Sequence, residues 1–84
     1  ILLAELTAQQ WVELETALEN GFVAVESINR RHSSYGLKQK FSREHFYVTQ
    51  EQFAEAMQRI GFRVEYTKSG NAYFNISERS PYFK

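Results

Sequence analysis

Apolar residues recur at helical spacing in two segments that share one grammar. In the first, Trp11, Leu14, Ala17 and Leu18 form a stripe; in the second, Phe53, Ala56, Met57 and Ile60 do. Each stripe is preceded by a helix-start signature. Thr7 and Thr49 are N-cap residues, Gln10 and Gln52 stand three residues on and complete a capping box, and Leu6 and Val48 stand before the caps at staple spacing. Gly21 and Gly61 follow as left-handed stops, with Phe22 and Phe62 next. The pattern predicts helices near 7–20 and 50–60.

After Gly61 the period changes from helical to alternating. Phe62, Val64 and Tyr66 share one face, and so do Ala72, Phe74 and Ile76. Between them the stretch KSGN supplies Gly70 and Asn71, both tolerant of positive φ, so a β-hairpin is predicted over 62–77. Pro81 closes it. The middle is less regular. FVAVESINRRH reads as extended, with a short strand within it. Ser33 or Ser34 can cap a helix over 34–44 in which Leu37 and Phe41 are the buried pair; Gly36 weakens that helix by about 1 kcal/mol relative to Ala.

The predicted class is therefore α+β: a single winged-helix-like domain over 1–84, three helices followed by a C-terminal β-hairpin wing. The helix-turn-helix would be 34–44 and 50–60, and the wing tip Lys68–Asn71. Its core should hold Trp11, Leu14, Leu18, Leu37, Phe41, Phe53, Met57, Ile60, Phe62 or Val64, Phe74 and Ile76.

Composition narrows the classes. A chain of 84 residues, 43% hydrophobic and 15% aromatic, has material for one modest core. It has no Cys, so disulfides, thiol nucleophiles and thiolate metal sites are excluded, which fits a reducing, cytoplasmic setting. The apolar runs ILLA and FVAV are too short to cross a membrane, and no signal-peptide pattern is present. The first residue is Ile, which fits a processed protein or an excised fragment.

A formal net charge of zero hides an asymmetry. Residues 1–29 hold five Glu and no Lys or Arg, hence −5; residues 30–84 hold all ten Lys and Arg against five Glu, hence +5. Arg30, Arg31, Lys38, Lys40 and Arg43 lie close together in sequence. With Ser34 and the start of the second helix, and with Lys68 and Asn71 at the wing tip, they make a candidate nucleic-acid footprint. Arg63 on the adjoining strand could add a contact. The bland alternative is a solvated helix face, or charge that only holds the two halves together.

Catalysis has little support. His32 and His45 do not have metal-ligand spacing, Asp is absent, and the glycines are isolated rather than a phosphate loop, so no metal, cofactor or enzyme activity is expected. The third helix carries Glu51, Glu55, Gln58 and Arg59 outward, and its carboxylates would repel phosphate. That keeps open a second reading: a protein-interaction module, or an inhibitor docking on a protein of a nucleic-acid-processing complex. Tyr35, Tyr82 and Phe83 would be its anchors because they are least committed to the core, and the apolar ends ILLAEL and SPYFK would form an interface or dimer seam.

The stretches RRHSSYGLKQKF, YVTQEQFAEAMQRIGFRV and NAYFNIS resemble a family of short proteins encoded by bacterial phages and mobile elements. Its members carry a Ser-Ser-Tyr-Gly-Leu-Lys stretch, then Tyr-Val-Thr before an amphipathic helix ending in Gly-Phe, then an aromatic strand. The resemblance covers residues 28–77 and leaves the first helix unmatched. More loosely, the chain is similar to winged-helix modules of phage and plasmid replication proteins. The resemblance implies a mobile-element setting and supplies no reaction.

Overall fold

The computed structural model describes residues 6–83. The ILLAE start therefore lies outside the described residues, as does Lys84. Helix α1 spans Ala8–Gly21, strand β1 Ala24–Asn29, α2 Ser34–Glu44, α3 Gln50–Arg59, β2 Val64–Tyr66 and β3 Ala72–Ile76; a short 3₁₀ turn, Pro81–Phe83, ends the description. The fold is mixed α+β, with three helices and one small antiparallel sheet in the order β1-β3-β2. None of the described helices is long and apolar enough to cross a membrane.

Both capping boxes form. Thr7 Oγ1 accepts from the Gln10 backbone N–H at 3.1 Å while the Gln10 side chain accepts from the Thr7 N–H at 2.9 Å; Thr49 and Gln52 repeat this at 3.1 and 3.0 Å. At the end of α3, Gly61 takes φ 101°, and the N–H groups of Gly61 and Phe62 donate to the carbonyls of Gln58 and Met57. Those two bonds are the Schellman pair.

Gly21 departs from expectation. It is the last residue of α1, not a left-handed stop, and Phe22 beside it is extended. Its lack of a side chain has a different cause. A Cβ there would lie 3.0 Å from the Tyr82 ring, which packs flat against the helix end.

The predicted hairpin pairs Val64 with Phe74, Glu65 with Tyr73 and Tyr66 with Ala72. It closes through Thr67, whose N–H donates to the Asn71 carbonyl at 2.9 Å, and Gly70 turns with φ 92°. The extended segment becomes a third strand along the outer edge of β3. Its register is irregular: Ala24 faces Ile76 and Asn29 faces Phe74, so β1 advances five residues while β3 advances two. Side chains satisfy the backbone that this bulge frees. Asn75 Nδ2 donates to the Val25 carbonyl at 2.9 Å, Arg63 donates to the Glu26 carbonyl, and Asn29 Nδ2 donates to the Ile76 carbonyl at 3.2 Å. Arg63 is thus part of the scaffold.

The core comprises Leu14, Leu18, Phe22, Leu37, Phe41, Val48, Phe53, Ala54, Ala56, Met57, Ala72, Phe74 and Ile76, with Trp11, Ile60, Phe62 and Val64 packed against it half-buried. Val48, Ala54 and Phe22 lie outside the stripes, and Phe22 is the largest of them. It meets Phe53 and Phe62 edge-on at 6.5 and 6.3 Å and stacks on Tyr82 at 4.4 Å.

Candidate functional site

Helix α2 begins with two serines that divide the work. Ser33 is the N-cap by backbone geometry, but its side chain makes no capping bond. Ser34 is fully buried; its Oγ donates to Gln50 Oε1 at 3.3 Å and accepts from the Ala72 N–H at 3.0 Å. That hydroxyl fastens the start of α2 to the start of α3 and to the first residue of β3. Fully buried and bonded on two sides, that hydroxyl presents no surface for the phosphate contact expected of it.

Below Ser34, Leu37 and Phe41 point into the core. Tyr35, Gln39 and Arg43 face outward, with Lys38 and Lys40 on either side. Ser42, also expected outside, is half-buried and accepts from the Val48 N–H at 3.1 Å. Lys38 Nζ lies over two rings, 5.2 Å from the centre of Tyr35 and 5.0 Å from that of Tyr47. These tyrosines are 48% and 61% exposed, so the three side chains form an open cation–aromatic cluster. Tyr47 had no assigned role in the sequence. The alternation Phe46-Tyr47-Val48, with Val48 buried and Phe46 against the core, is the signal that would have placed it outside.

The adjacent arginines diverge. Arg30 pairs with Glu65 on β2 at 2.5 Å while 63% of its side chain stays exposed, so its charge is partly answered within the fold. Arg31 is exposed and makes no ion pair among the described residues; its backbone N–H donates to Asn29 Oδ1 at 2.9 Å. At the hairpin tip Lys68 is exposed, whereas Asn71 is half-buried, its carbonyl tied to Thr67. The Ser34–Ala72 bond sets this tip beside the start of α2.

The C-terminal aromatics are committed to the core, which corrects their reading as spare anchors. Tyr82 stacks on Phe22, and its hydroxyl donates to the Leu37 carbonyl at 2.7 Å. Burial pushes the Tyr82 phenol well above its ordinary pKa, and the nearby Glu44 carboxylate adds to the rise. Phe83 stacks on His32 at 4.1 Å. The Lys40 ammonium donates to the Tyr82 carbonyl and lies 5.0 Å from the centre of that ring. Ser80, fully buried, accepts from the Val23 N–H at 2.9 Å. Glu78 completes the brace: Asn29 Nδ2 reaches it at 2.6 Å and His32 Nε2 at 3.2 Å. The Asn29 bond chiefly, opposed by desolvation and aided by His32 and the Arg31 charge, lowers its carboxyl pKa.

Helix α3 presents a different surface. Glu51, Glu55 and Gln58 are exposed, and Arg59 is held by Glu55 at 2.7 Å and Glu15 at 3.2 Å while lying 4.2 Å over the Trp11 ring. Among the described residues, no three His or Glu side chains gather as a metal set.

No protein-family model, curated protein or solved structure matches this chain.

Proposed function

We propose that the chain is a non-catalytic nucleic-acid-binding domain of winged-helix type, from a phage or mobile element, and that it binds through the exposed face of α2. The element order and the β1-β3-β2 sheet support the winged-helix reading, with α2 and α3 as the helix pair and β2-β3 as the wing. One observation carries the functional reading. The fold sorts its cations, pairing Arg30 and Arg59 with carboxylates and leaving Arg31, Lys38 and Arg43 exposed or half-exposed without an ion pair among the described residues. Lys40 keeps two ammonium donors beyond the one it gives Tyr82.

The acidic face of α3 argues against that helix entering the major groove. Contacts along α2 would instead be to phosphates, which position a strand and carry little sequence information. Tyr35 and Tyr47 beside Lys38 suit unstacked bases, so a single strand fits this face better than a duplex.

The test is a salt titration of binding to single- and double-stranded oligonucleotides. Binding should weaken with a log–log slope of roughly −0.7 per phosphate neutralised on a single strand. Replacing Lys38 and Arg43 by Ala should flatten the slope by roughly 1.4 and weaken all sequences alike. Absence of salt-sensitive binding to any nucleic acid at low ionic strength would overturn the reading.

A second reading, a module docking on a protein of a nucleic-acid-processing complex, is favoured by Val23 and Val25. They stand 52% and 40% exposed, Val23 just before β1 and Val25 within it, where an apolar contact has no obvious use in the isolated fold. Replacing both by Lys should abolish partner capture under that reading and leave nucleic-acid binding intact under the first.

A further inference from the structure

A recess of about 330 Å³ lies between α2 and the C-terminal turn. Its volume is at the lower end of the roughly 300–1,000 Å³ spanned by small-ligand pockets. Arg31, Lys40 and Arg43 supply three cations to its wall, His32 and Phe83 line one side, and among the described residues no carboxylate lines it. The aromatic wall is fixed, since Phe83 and His32 stack on each other and Glu78 holds His32 from behind.

A second observation points into the same space. Gly36 lies within α2, where glycine is less favourable than alanine, yet its backbone has no positive φ. An added Cβ would meet nothing within 4 Å. The chain's own packing therefore gives no reason for glycine here. What Gly36 does border is the recess, and the space a Cβ would enter there is open.

From these features we infer that the recess binds a terminal phosphomonoester of a nucleotide: the phosphate among Arg31, Lys40 and Arg43, the attached sugar or base against Phe83. The inference rests on the nucleic-acid reading for the source of the ligand. Two charges on a phosphomonoester suit a recess lined by three cations better than does the single charge of a backbone phosphodiester. A strand would then lie along α2 with one end seated in the recess.

Single-stranded oligonucleotides of one sequence, carrying a 5′-phosphate, a 3′-phosphate or neither, distinguish an end from a backbone. Adenosine monophosphate and adenosine serve as free-nucleotide probes. One phosphorylated oligonucleotide should bind on the order of tenfold tighter than the unphosphorylated one. Gly36→Leu should erase that preference by filling the recess, and because it favours the helix its melting temperature should not fall below that of the parent. Equal binding of all three oligonucleotides, or a preference that survives Gly36→Leu, would overturn the inference while leaving backbone binding on α2 in place. Binding of adenosine monophosphate alone, lost in Gly36→Leu, would uphold the pocket for a free nucleotide and refute the strand. Failure of every probe would refute both.

Discussion

Helices α2 and α3 are of similar length, are adjacent in sequence, and each carries charge on its outer face, yet the fold treats them differently. In α3 the one cation is answered: Arg59 meets Glu55 on its own helix and Glu15 on α1, and Trp11 shields one face of its guanidinium. In α2, Lys38 meets only tyrosines, and Arg43 has no ion-pair partner among the described residues. The packing differs as well. Five residues of α3 are buried, Gln52, Phe53, Ala54, Ala56 and Met57, whereas α2 buries Ser34, Leu37 and Phe41. α3 is wedged between neighbours whose side chains reach its charges, and α2 presents a broader unanswered face. A cation's place in the sequence therefore says less about its availability than what packs beside it.

The largest expected effects lie where the two helices are alike. Phe53→Ala in α3 and Phe41→Ala in α2 should each cost about 3–5 kcal/mol in urea unfolding, since both rings are buried. A clear inequality would mean that one helix is less integral to the core than its burial indicates. Next comes the pair of serines. Ser34→Ala should cost about 1–3 kcal/mol because it strands the buried Ala72 N–H. Ser33→Ala should change little, as its hydroxyl caps nothing. The reverse result would restore Ser33 as a true cap and Ser34 as a surface residue.

Smaller effects separate the charges. Arg59→Ala should cost no more than about 1 kcal/mol, and Arg43→Ala nothing measurable, in the same assay. In binding, the order inverts: Arg43→Ala should weaken nucleic-acid affinity, whereas Glu51→Gln with Glu55→Gln should leave it unchanged if α3 faces away from the ligand. Strengthened binding by the glutamine pair would place α3 in the interface.

The tail that braces α2 should reveal itself through pH. Tyr82 has a raised pKa in the folded protein, so its contribution is complete below about pH 10, the ordinary tyrosine value, and is lost as pH rises beyond it. Tyr82→Phe should remove that alkaline loss, at the expense of the bond to Leu37. Glu78 acts in the opposite direction. Its lowered pKa favours the fold above the ordinary value of 4.5, and this small contribution fades as pH falls through the lowered value.

Local signals resolved much of the fold. The Thr-x-x-Gln boxes, Gly61 and the alternation over 62–76 each depend on contacts within a few residues, and each formed where it was read. The third strand was legible only as extended chain, because its partner lies some fifty residues away and its register is set by Asn29, Arg63 and Asn75 reaching across a bulge. The candidate site was legible in part. Tyr35, Gln39 and Arg43 kept the exposed placement that helical periodicity gave them, and Lys38 stayed at its flank, whereas Ser34 is buried and Tyr82 is tied to Phe22 and Leu37.

By itself, then, the sequence determined where helices start and stop, which faces turn inward and where the hairpin bends. These follow from backbone hydrogen bonding and burial along a single segment. Only the tertiary structure decided which charges were answered, which serine was buried and why Gly21 lacks a side chain. Ion pairing and close packing join residues far apart in the chain: Glu65 reaches Arg30, Ala72 reaches Ser34, and the Tyr82 ring takes the space a side chain on Gly21 would need.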